Sequence, residues 1–501
     1  MARTRRPSAD ILAALSFYLG IDLGTSGVKA VLCDDAGGVV DQAVAPLEVS
    51  RPEPLWSEQD PSDWWEAANA AVQKLGSRGR GRLGDVAAIG LSGQMHGATL
   101  LDARDQPLRR AILWNDGRSG EECAELERRV PDSREITGNL AMPGFTAPKL
   151  LWVRAHEPKL FERVKRVLLP KDYLRLCMTG DAASDLSDSS GTLWLDVARR
   201  RWSDEMLAAC DLGREAMPAL HDGTESTGWL RAEVADAWGM KSVPVAAGAG
   251  DQAAGAVGAG VVRPGEASLS LGTSGVYFVT QDRYRPNPAR AVHCFCHAVP
   301  DTWHLMSVIL SAASCLSWVA ALVGAKSEEA LLAEVEAADR PNDRLVFLPY
   351  LSGERSPHND PNALGVFFGL SHATERADLA RAVLEGVAFA LADGQEALTE
   401  AGAEIRTVSV IGGGARSPLW GRILASTLGI SLHYRAGGEV GPALGAARLA
   451  RICVTGEAAA EVCKPPPLES VVDPEAKLVD HYAQRLPVYR RLYQSLKGEF
   501  R

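Results

Sequence analysis

The sequence predicts an α/β protein made of two similar domains, and two features of the chain carry that prediction. Runs of β-branched residues alternate with helical patterns, which is typical of sheets covered by helices. The strand-like runs 86–91 and 408–411 and the helix-like run 379–401 are examples. In addition, one six-residue segment occurs twice, almost half a chain apart, and such self-similarity indicates a repeated structural unit.

The repeated segment is Leu-Gly-Thr-Ser-Gly-Val, which occupies residues 23–28 and again residues 271–276 of the 501-residue chain. A chain of this length offers about 10⁵ position pairs against about 10⁷ six-letter words, so an accidental match has odds of roughly one in a hundred. Two similar domains, each opening near such a segment, are the simpler explanation. We therefore expect an N-terminal extension at 1–17, an N-terminal domain at 18–245 and a C-terminal domain at 246–501.

The composition is that of an ordinary folded protein and excludes several classes. Hydrophobic residues make up 46% of the chain and charged residues 23%, which excludes wholesale disorder. The 53 basic and 63 acidic residues give a net charge of −10, so the chain repels phosphate backbones and we expect no nucleic-acid partner. The nine cysteines are scattered, with one close pair at Cys294 and Cys296, so we expect neither a disulfide framework nor a zinc site. This cysteine usage indicates a reduced, cytoplasmic protein.

Two segments imitate membrane signals, and we interpret both as parts of a folded domain. Near the N-terminus, arginines precede a short apolar run, as they do in a signal peptide. This run extends through Tyr18 to Ile21, however, so we interpret its end as the first strand of the core. Residues 306–325 contain no charge, and their serines at 307, 311, 314 and 317 share one side of a helix. A lipid-facing span is rarely so rich in hydroxyl side chains, so we predict a buried helix there and no membrane partner.

Each copy of the repeated segment lies between two β-prone runs, so each is predicted to be a β-hairpin turn. A Walker-type loop would precede a helix and carry the pattern Gly-x-x-x-x-Gly-Lys-[Ser/Thr], which does not occur in the chain. Two glycines let the backbone amides of such a turn point inward, and the Thr and Ser hydroxyls add donors for phosphate oxygens. The alternative is that both are only tight structural turns. The predicted phosphate contacts are Gly24, Thr25 and Ser26 in the first copy and Gly272 and Thr273 in the second.

Asp22 ends the first apolar strand, directly before the first turn. A carboxylate beside phosphate-binding amides needs a cation between them, and hydrated Mg²⁺ suits that place; the alternative is an Asp that caps its own turn. Lys29 can add a positive charge for the phosphates, although an exposed strand lysine is the plainer interpretation. A third glycine cluster follows the run 408–411 and permits close approach of a nucleotide. Its candidate contacts are Gly413, Gly414 and Arg416.

Asp251 is the only charged residue between positions 243 and 262, in a stretch of Ala, Gly and Val. A single ionisable group in apolar surroundings is a candidate general base. The structural alternative is an N-cap for a helix that begins at Gln252. The two roles are compatible, since a helix N-terminus would help to keep the carboxylate ionised.

Polar side chains follow the strand-like run 86–91, at a strand end where α/β proteins usually bind ligands. Gln94 and His96 can hydrogen-bond a polyol there, and the alternative for His96 is a histidine satisfied in a crevice between domains. Segments 56–60 and 114–116 combine Trp with carboxylate or amide side chains, as segments that line sugar sites do. Neither segment would establish a function alone.

Several segments together resemble the FGGY carbohydrate kinases. Residues 22–27 are similar to that family's first phosphate loop, and residues 271–275 to its second. Residues 365–370, together with 378–379 and 382–385, resemble the C-terminal signature of the family, and residues 144–152 resemble the N-terminal one. Segments 56–60, 93–97, 112–116 and 168–173 extend the likeness, which runs from about residue 18 to the C-terminus.

The resemblance implies two actin-like, ribonuclease-H-like domains around a central cleft, the superfold of sugar kinases, hexokinases and chaperone ATPases. It implies ATP and Mg²⁺ as cofactors, with Asp22 serving the magnesium and Asp251 acting as the base. Met95 and His96 are expected to contact the sugar, with His96 donating to a hydroxyl near the carbonyl end. The other candidate sugar contacts are Gln94, Trp114, Asn115 and Gln252. Residue 252 is Gln, the glycerol-kinase form, where pentulose kinases of the family carry Asn.

The function that the resemblance implies is ATP-dependent phosphorylation of D-xylulose to D-xylulose 5-phosphate. One alternative is a kinase for ribulose, another ketose or glycerol. A different class of alternative is an actin-like sugar sensor that binds ATP without transferring phosphate, and the presence of Asp251 argues against it. The expected partners are therefore the sugar and ATP, with a homodimer left open.

Overall fold

The structure of the chain, a computed structural model, describes residues 16–78, 83–338, 344–412, 417–436 and 441–500. The strands of the first half are β1 (Phe17–Gly24), β2 (Gly27–Asp34), β3 (Val39–Pro46), β4 (Glu58–Gln59), β5 (Val86–Gly93), β6 (Thr99–Leu101), β7 (Ala111–Ile112), β8 (Arg166–Leu168), β9 (Ala183–Asp185), β10 (Leu195–Asp196), β11 (Arg201–Trp202), β12 (Ala219–His221), β13 (Ser226–Trp229), β14 (Pro244–Ala246) and β15 (Ala249–Gly250). The strands that follow are β16 (Glu266–Leu271), β17 (Gly275–Gln281), β18 (His293–Cys296), β19 (Trp303–Ile309), β20 (Val346–Leu348), β21 (Val366–Phe368), β22 (Thr407–Ile411), β23 (Leu432–Arg435) and β24 (Leu468–Val472).

The helices cover the sheets and fill the connections between strands. Those of the first half are α1 (Pro61–Ser77), α2 (Gly120–Arg129), α3 (Ser133–Thr137), α4 (Thr146–His156), α5 (Pro158–Phe161), α6 (Pro170–Thr179), α7 (Leu186–Ser190), α8 (Asp204–Ala208), α9 (Ala232–Trp238) and α10 (Asp251–Ala259). Those that follow are α11 (Ala313–Leu322), α12 (Glu328–Ala338), α13 (Arg376–Glu400), α14 (Pro418–Leu428), α15 (Gly441–Thr455), α16 (Ala459–Val462) and α17 (Ala476–Leu496).

Two large sheets repeat one strand arrangement. In the described part of the chain, the first sheet has the order β13-β14-β5-β1-β2-β3, with β15 also paired to β5, and the second has the order β18-β19-β17-β16-β22-β23-β24. In the first sheet β1, β2 and β3 are antiparallel neighbours, whereas β5 and β14 continue from β1 in parallel. In the second sheet β16, β17 and β19 are antiparallel, and β22 and β23 continue from β16 in parallel. The duplication predicted from the repeated segment is therefore confirmed as a duplication of the fold.

Local sequence explains why the main covering helices begin where they do. The Asp60 side chain accepts a hydrogen bond from the Ser62 backbone N–H, and Pro61 occupies the first turn of α1, where a missing N–H costs nothing. At α13, Glu375 and Asp378 form a reciprocal capping box. Helix α1 packs on β2 and β3, and α13 packs on β19 and β20, so each sheet has a helical layer over an apolar face.

Both repeated segments form the predicted hairpins. Strands β1 and β2 pair from Phe17 with Asp34 down to Gly24 with Gly27. Strands β16 and β17 are also antiparallel and pair down to Leu271 with Gly275, which leaves a turn one residue longer. The predicted strands at 86–91 and 408–411 and the helix at 379–401 are confirmed within β5, β22 and α13.

The prediction of one buried helix across residues 306–325 is wrong. Residues 306–309 belong to β19, and a helix, α11, begins only at Ala313. Strand β19 lies between β17 and β18, and Val308 and Ile309 satisfy their β propensity by pairing with β17. The serines at helical spacing therefore do not share one helix: Ser307 lies on β19, Ser311 in the connection, and Ser314 and Ser317 on α11. In the described ranges no helix combines the length and apolar character that a membrane crossing requires.

A backbone contact joins the two halves of the chain. Helix α15, from the C-terminal half, packs on β1 and β5 of the first sheet and on α10. A Cβ atom on Gly20 or Gly90 would lie 1.9 Å from the Ala443 or Ala446 carbonyl oxygen. Glycine is thus required at both positions for the helix to lie on the sheet.

The structure bears differently on the two predicted boundaries, the end of the extension at residue 17 and the division at residue 245. Residues 1–15 lie outside the described residues, and β1 begins at Phe17. The division at 245 stays a prediction; β14 and β15 still belong to the first sheet, and the second sheet starts at Glu266. All nine cysteines lie in the described ranges and are free thiols.

Candidate active site

Asp22 lies at the end of β1, where the first hairpin begins, and pairs across the hairpin with Lys29. The Ser92 hydroxyl, at the end of the parallel neighbour β5, donates to Asp22 Oδ1 at 2.9 Å. Burial raises the pKa of Asp22 to about 6, although the Ser92 hydrogen bond and the Lys29 charge act in the opposite direction. This carboxylate is therefore partly desolvated and attracts a cation.

Asp251 is the first residue of α10 and follows β15 directly. Burial raises the pKa of Asp251 to about 7, and the Asp22 carboxylate raises it further, whereas hydrogen bonds from Gln252 lower it. The helix N-terminus therefore does favour the ionised carboxylate, as expected, but its effect is the smaller one. Desolvation and the neighbouring negative charge exceed the stabilisation from the helix end. A carboxylate with a pKa near neutrality is suited to general-base work.

The two carboxylates and the hairpins form a donor set that fits Mg²⁺. Asp22 and Asp251 raise each other's energy as anions, and a divalent cation between them and a phosphate would relieve that repulsion. Among the described residues, no three His, Cys, Asp or Glu side chains gather as a ready-made metal cluster. Water and phosphate oxygens would have to complete the coordination, as is usual for Mg²⁺ with nucleotides.

The loop after β5 carries Gln94, Met95 and His96, and it bends sharply. His96 has a positive φ of 68°, an uncommon conformation for a residue with a side chain. Lys149 holds this bend, because its Nζ donates to the carbonyl oxygens of His96 at 2.9 Å and Gly144 at 2.7 Å. Burial lowers the pKa of Lys149 to about 7.

The hydrogen bonding of His96 fixes its tautomer. His96 Nδ1 lies 2.7 Å from the Gly191 carbonyl oxygen, which can only accept, so Nδ1 carries the proton. Burial lowers the pKa of His96 to about 3, and Lys149 lowers it further, so the ring is neutral. Its Nε2 is therefore an acceptor. The expectation that His96 donates to a sugar hydroxyl is wrong for Nε2, which accepts from such a hydroxyl instead.

Met95 links this loop to the base. A Cβ atom on Gly250 would lie 2.9 Å from Met95 Cγ, and one on Gly191 would lie 2.5 Å from the His96 ring. Gly250 thus lets the Met95 side chain approach the turn that precedes Asp251, and Gly191, at the end of α7, lets the His96 ring approach that helix. The structure brings one predicted sugar contact, Met95, against the residue that precedes the predicted base.

The first hairpin's Thr25 belongs to a polar network. Its hydroxyl donates to Gln94 Oε1 at 3.0 Å and accepts from Trp114 Nε1 at 2.9 Å. Gln59 donates to the Thr25 carbonyl at 2.7 Å and accepts from Gln94 Nε2 at 2.9 Å. This network ties the first hairpin to the sugar side. Asn115 and Gln252 are exposed near it, as is Ser26 at the hairpin tip.

The second hairpin has different surroundings. The carbonyls of Gly272 and Thr273 accept from the backbone of residues 312 and 313 at the start of α11, so this helix fixes the turn. The Thr273 side chain is exposed. A cavity of about 410 Å³ opens beside the hairpin, and its lining includes Leu316, Glu328, Glu329, Leu332 and Trp420.

Of the third glycine cluster, the structure describes only Gly412. Gly413, Gly414 and Arg416 lie outside the described residues. Gly412, just before them, has a φ of 95°, and a Cβ atom there would lie 2.7 Å from the Leu271 carbonyl oxygen. The end of β22 therefore lies directly against the second hairpin.

Several residues of this site were missed in the sequence analysis. Ser92 and Lys149 act through a carboxylate and a carbonyl that are distant in sequence. Arg355 lies within electrostatic range of His96 and His293, and it lowers the pKa of both, after the larger effect of burial. Within the described residues the Arg355 guanidinium has no ion-pair partner. The available signal for Arg355 in the sequence was a basic residue in the segment that follows the short strand β20.

This fold defines the class of the protein as a two-domain α/β protein built on two duplicated sheets. Residues 17–258 match the N-terminal domain of the FGGY family of carbohydrate kinases, and residues 267–453 match its C-terminal domain. The chain belongs to this family, and the sequence-based recognition of it is confirmed.

Relatives of known name share nearly the whole chain. The xylulose kinase of Escherichia coli strain K12 is 58% identical over 480 residues, which cover 96% of this chain and 99% of that protein. The xylulose kinase of Klebsiella pneumoniae is 57% identical, with coverage of 96% and 99%. Among solved structures, the "xyloylose kinase" of Brucella ovis is 50% identical, with a TM-score of 0.94 and coverage of 96% and 99%. The xylulose kinase of Rhodospirillum rubrum is 30% identical, with a TM-score of 0.90 and coverage of 97% and 99%.

Proposed function

We propose that this carbohydrate kinase transfers the terminal phosphoryl group of ATP to D-xylulose and releases D-xylulose 5-phosphate and ADP. One observation carries the proposal most directly: a carboxylate with a pKa raised to about 7 follows Gly250, which packs against Met95, and lies within electrostatic range of Asp22. Relatives that share more than half of its residues are xylulose kinases.

Asp251 acts as the general base. In the ionised form it accepts the proton of the terminal sugar hydroxyl, which makes that oxygen a better nucleophile toward the γ-phosphorus. Its raised pKa makes it a stronger base than an exposed aspartate, and at neutral pH a large fraction is still ionised. Position matters as much as basicity, because the oxygen must face the phosphorus in line.

The two hairpins hold the phosphates with neutral groups. Turn amides that are not used within the hairpins, together with the exposed Ser26 and Thr273 hydroxyls, supply the donors for the phosphate oxygens. When bound, Mg²⁺ neutralises charge on the transferring phosphoryl group, and Asp22 is the side chain that would hold it. The cavity beside Thr273 accommodates the nucleoside, and Glu328 and Glu329 offer acceptors for ribose hydroxyls.

Sugar recognition comes from the other side of the cleft. His96 Nε2 accepts from one sugar hydroxyl, and Gln94 and Trp114 provide polar and apolar contacts beside it. A buried acceptor rejects an analogue that lacks the matching hydroxyl, because the acceptor is then left unpaired. ATP as a substrate and nine free thiols suit a cytoplasmic enzyme.

A coupled assay of ADP release across a panel of sugars tests the proposal. The panel contains D-xylulose, D-ribulose, L-ribulose and glycerol, and we expect the highest kcat/KM for D-xylulose. A higher kcat/KM for glycerol or a ribulose would mean that the protein is a kinase with that compound, and not D-xylulose, as its preferred substrate. ADP release with none of them, together with retained ATP binding, would favour the sugar sensor.

A further inference from the structure

A buried cluster of five charged side chains lies behind the candidate active site, and neither substrate would touch it. All five are fully buried: Lys171, Asp172, Arg175, Asp185 and Asp188. Lys171 Nζ lies 2.6 Å from Asp172, 2.7 Å from Asp185 and 3.3 Å from Asp188. Burying so much charge costs several kcal/mol per ion before pairing offsets it, so a cluster of this kind is weak evidence for stability alone.

The cluster fixes the backbone that leads to Asp251 at two points. Arg175 donates to the Ala246 carbonyl at 2.8 Å and to the Ala247 carbonyl. Farther along, the Gly250 N–H donates to the Ser187 hydroxyl at 3.2 Å, and that hydroxyl donates in turn to Asp185. The chain of contacts therefore runs from Lys171 through Asp185 and Ser187 to the peptide directly before the base.

The same cluster supports the loop that carries the sugar contacts. A Cβ atom on Gly93 would lie 3.0 Å from Lys171 Cβ, and one on Gly97 would lie 2.5 Å from Pro170 Cγ. The start of α6 thus lies under both ends of the loop that bears Met95 and His96. One rigid set of buried charges contacts the sugar-binding loop and the base-bearing turn.

We infer that Ser187, held by Asp185 and Lys171, is a positioning residue for the base: it sets where Asp251 lies relative to the sugar hydroxyl. The inference deepens the proposed function and rests on it. Ser187 touches no reacting atom, so its removal would leave both substrates' contacts in place. It would release the Gly250 peptide and let the Asp251 carboxylate drift from its in-line position.

The matched pair Ser187→Ala and Ser189→Ala separates positioning from stability. Both serines are fully buried on α7. The Ser187 hydroxyl makes two hydrogen bonds, from Gly250 and to Asp185, whereas Ser189 shares one with Ser184 at 2.9 Å and does not reach Gly250. We expect both variants to lose thermal stability, Ser187→Ala the more of the two. Only Ser187→Ala should lose kcat, by about 10- to 100-fold, with the KM values of ATP and sugar changed by less than about twofold.

Equal kcat values for the two variants, or an unchanged kcat in Ser187→Ala, would overturn the inference. If Ser187→Ala does not fold, Ser187→Cys against Ser189→Cys gives the same comparison, since a thiol fills the space of the hydroxyl, although it is somewhat larger, and is a weaker hydrogen-bonding group. Its expected kcat lies between those of Ser187→Ala and the wild type, and a value equal to that of Ser189→Cys contradicts the inference. Wild-type protein that phosphorylates no sugar of the panel would instead contradict the proposed function, so the two failures are distinguishable.

Discussion

The two copies of Leu-Gly-Thr-Ser-Gly-Val both form hairpin turns, but the turns differ in length and in chemical surroundings. Two residues lie between the paired Gly24 and Gly27, whereas three lie between the paired Leu271 and Gly275. In the first copy, Asp22 and Lys29 face each other across the hairpin. The corresponding positions of the second copy are Ser270, which pairs with Val276, and Tyr277, whose hydroxyl donates to Gln395. Only the first hairpin therefore has charged groups at its base.

The two threonines differ in the same sense. Thr25 has Gln94 and Trp114 as side-chain partners, whereas Thr273 is exposed beside a cavity large enough for a nucleoside. The repeated residues supply a hairpin turn, and the flanking residues give each turn its surroundings. Under the proposed function, the first hairpin serves a cation and the sugar side, and the second serves the nucleotide.

The largest effect is expected from Asp251→Asn, which leaves both hairpins intact. The amide cannot accept the hydroxyl proton, so kcat should fall by about 10²- to 10⁴-fold. ATP and sugar affinities, measured by titration calorimetry, should hardly change. Turnover close to that of the wild type would show that Asp251 only begins a helix.

Asp22→Asn compared with Ser270→Ala tests the difference between the hairpins. Loss of the cation-binding carboxylate should lower kcat by about 10²-fold and raise the Mg²⁺ concentration needed for half-maximal turnover, whereas Ser270→Ala should change kcat by less than about threefold. Equal effects at the two positions would mean that the hairpins are chemically equivalent.

The pH dependence of kcat/KM tests the same two variants, Asp22→Asn and Ser270→Ala, in a second way. Because Asp251 must be ionised, wild-type kcat/KM should rise with pH through about 7 and then level off. Asp22→Asn removes a negative charge that raises the pKa of Asp251, so the midpoint of the residual activity should move to lower pH. Ser270→Ala should leave the midpoint in place.

His96→Ala probes the sugar side alone. One lost partner in a desolvated site costs about 1–3 kcal/mol, so the KM for D-xylulose should rise by about 5- to 150-fold while the KM for ATP stays constant. Glycerol offers fewer hydroxyls and should suffer less. An unchanged ratio of kcat/KM between the two substrates would mean that His96 only supports the fold.

The smallest effects are expected from the two threonines. Thr273→Val should raise the KM for ATP about fivefold, the equivalent of about 1 kcal/mol for one lost hydrogen bond. Thr25→Val should act mainly on the KM for sugar, because its hydroxyl bonds to Gln94 and Trp114. Identical profiles for the two variants would reduce the repeat to a pair of equivalent turns.

The sequence alone could predict what depends on local pattern. The hairpins follow from glycines between β-prone runs, and the isolation of Asp251 among apolar residues marks it as a candidate base. The state of His96 could not be predicted, because the Gly191 carbonyl that fixes its tautomer is 95 residues away. Residues 306–325 misled for a related reason: serine spacing fits a helix, but strands β17 and β18 pair with the first part of the segment.

The glycine contact of α15 with the first sheet has a consequence for how the chain can be divided. Gly445 and Gly258 repeat the contact between α15 and α10, where a Cβ atom would lie 1.8 Å from the Ala254 carbonyl or 2.3 Å from the Gly441 carbonyl. A fragment that ends in the middle of the chain would leave the backbone of Gly20 and Gly90 open to water, without the helix that covers it. The two halves are therefore not independent folding units. Expressed alone, the first half lacks one of the helices that cover its sheet, and only co-expression with the second half would restore that helix.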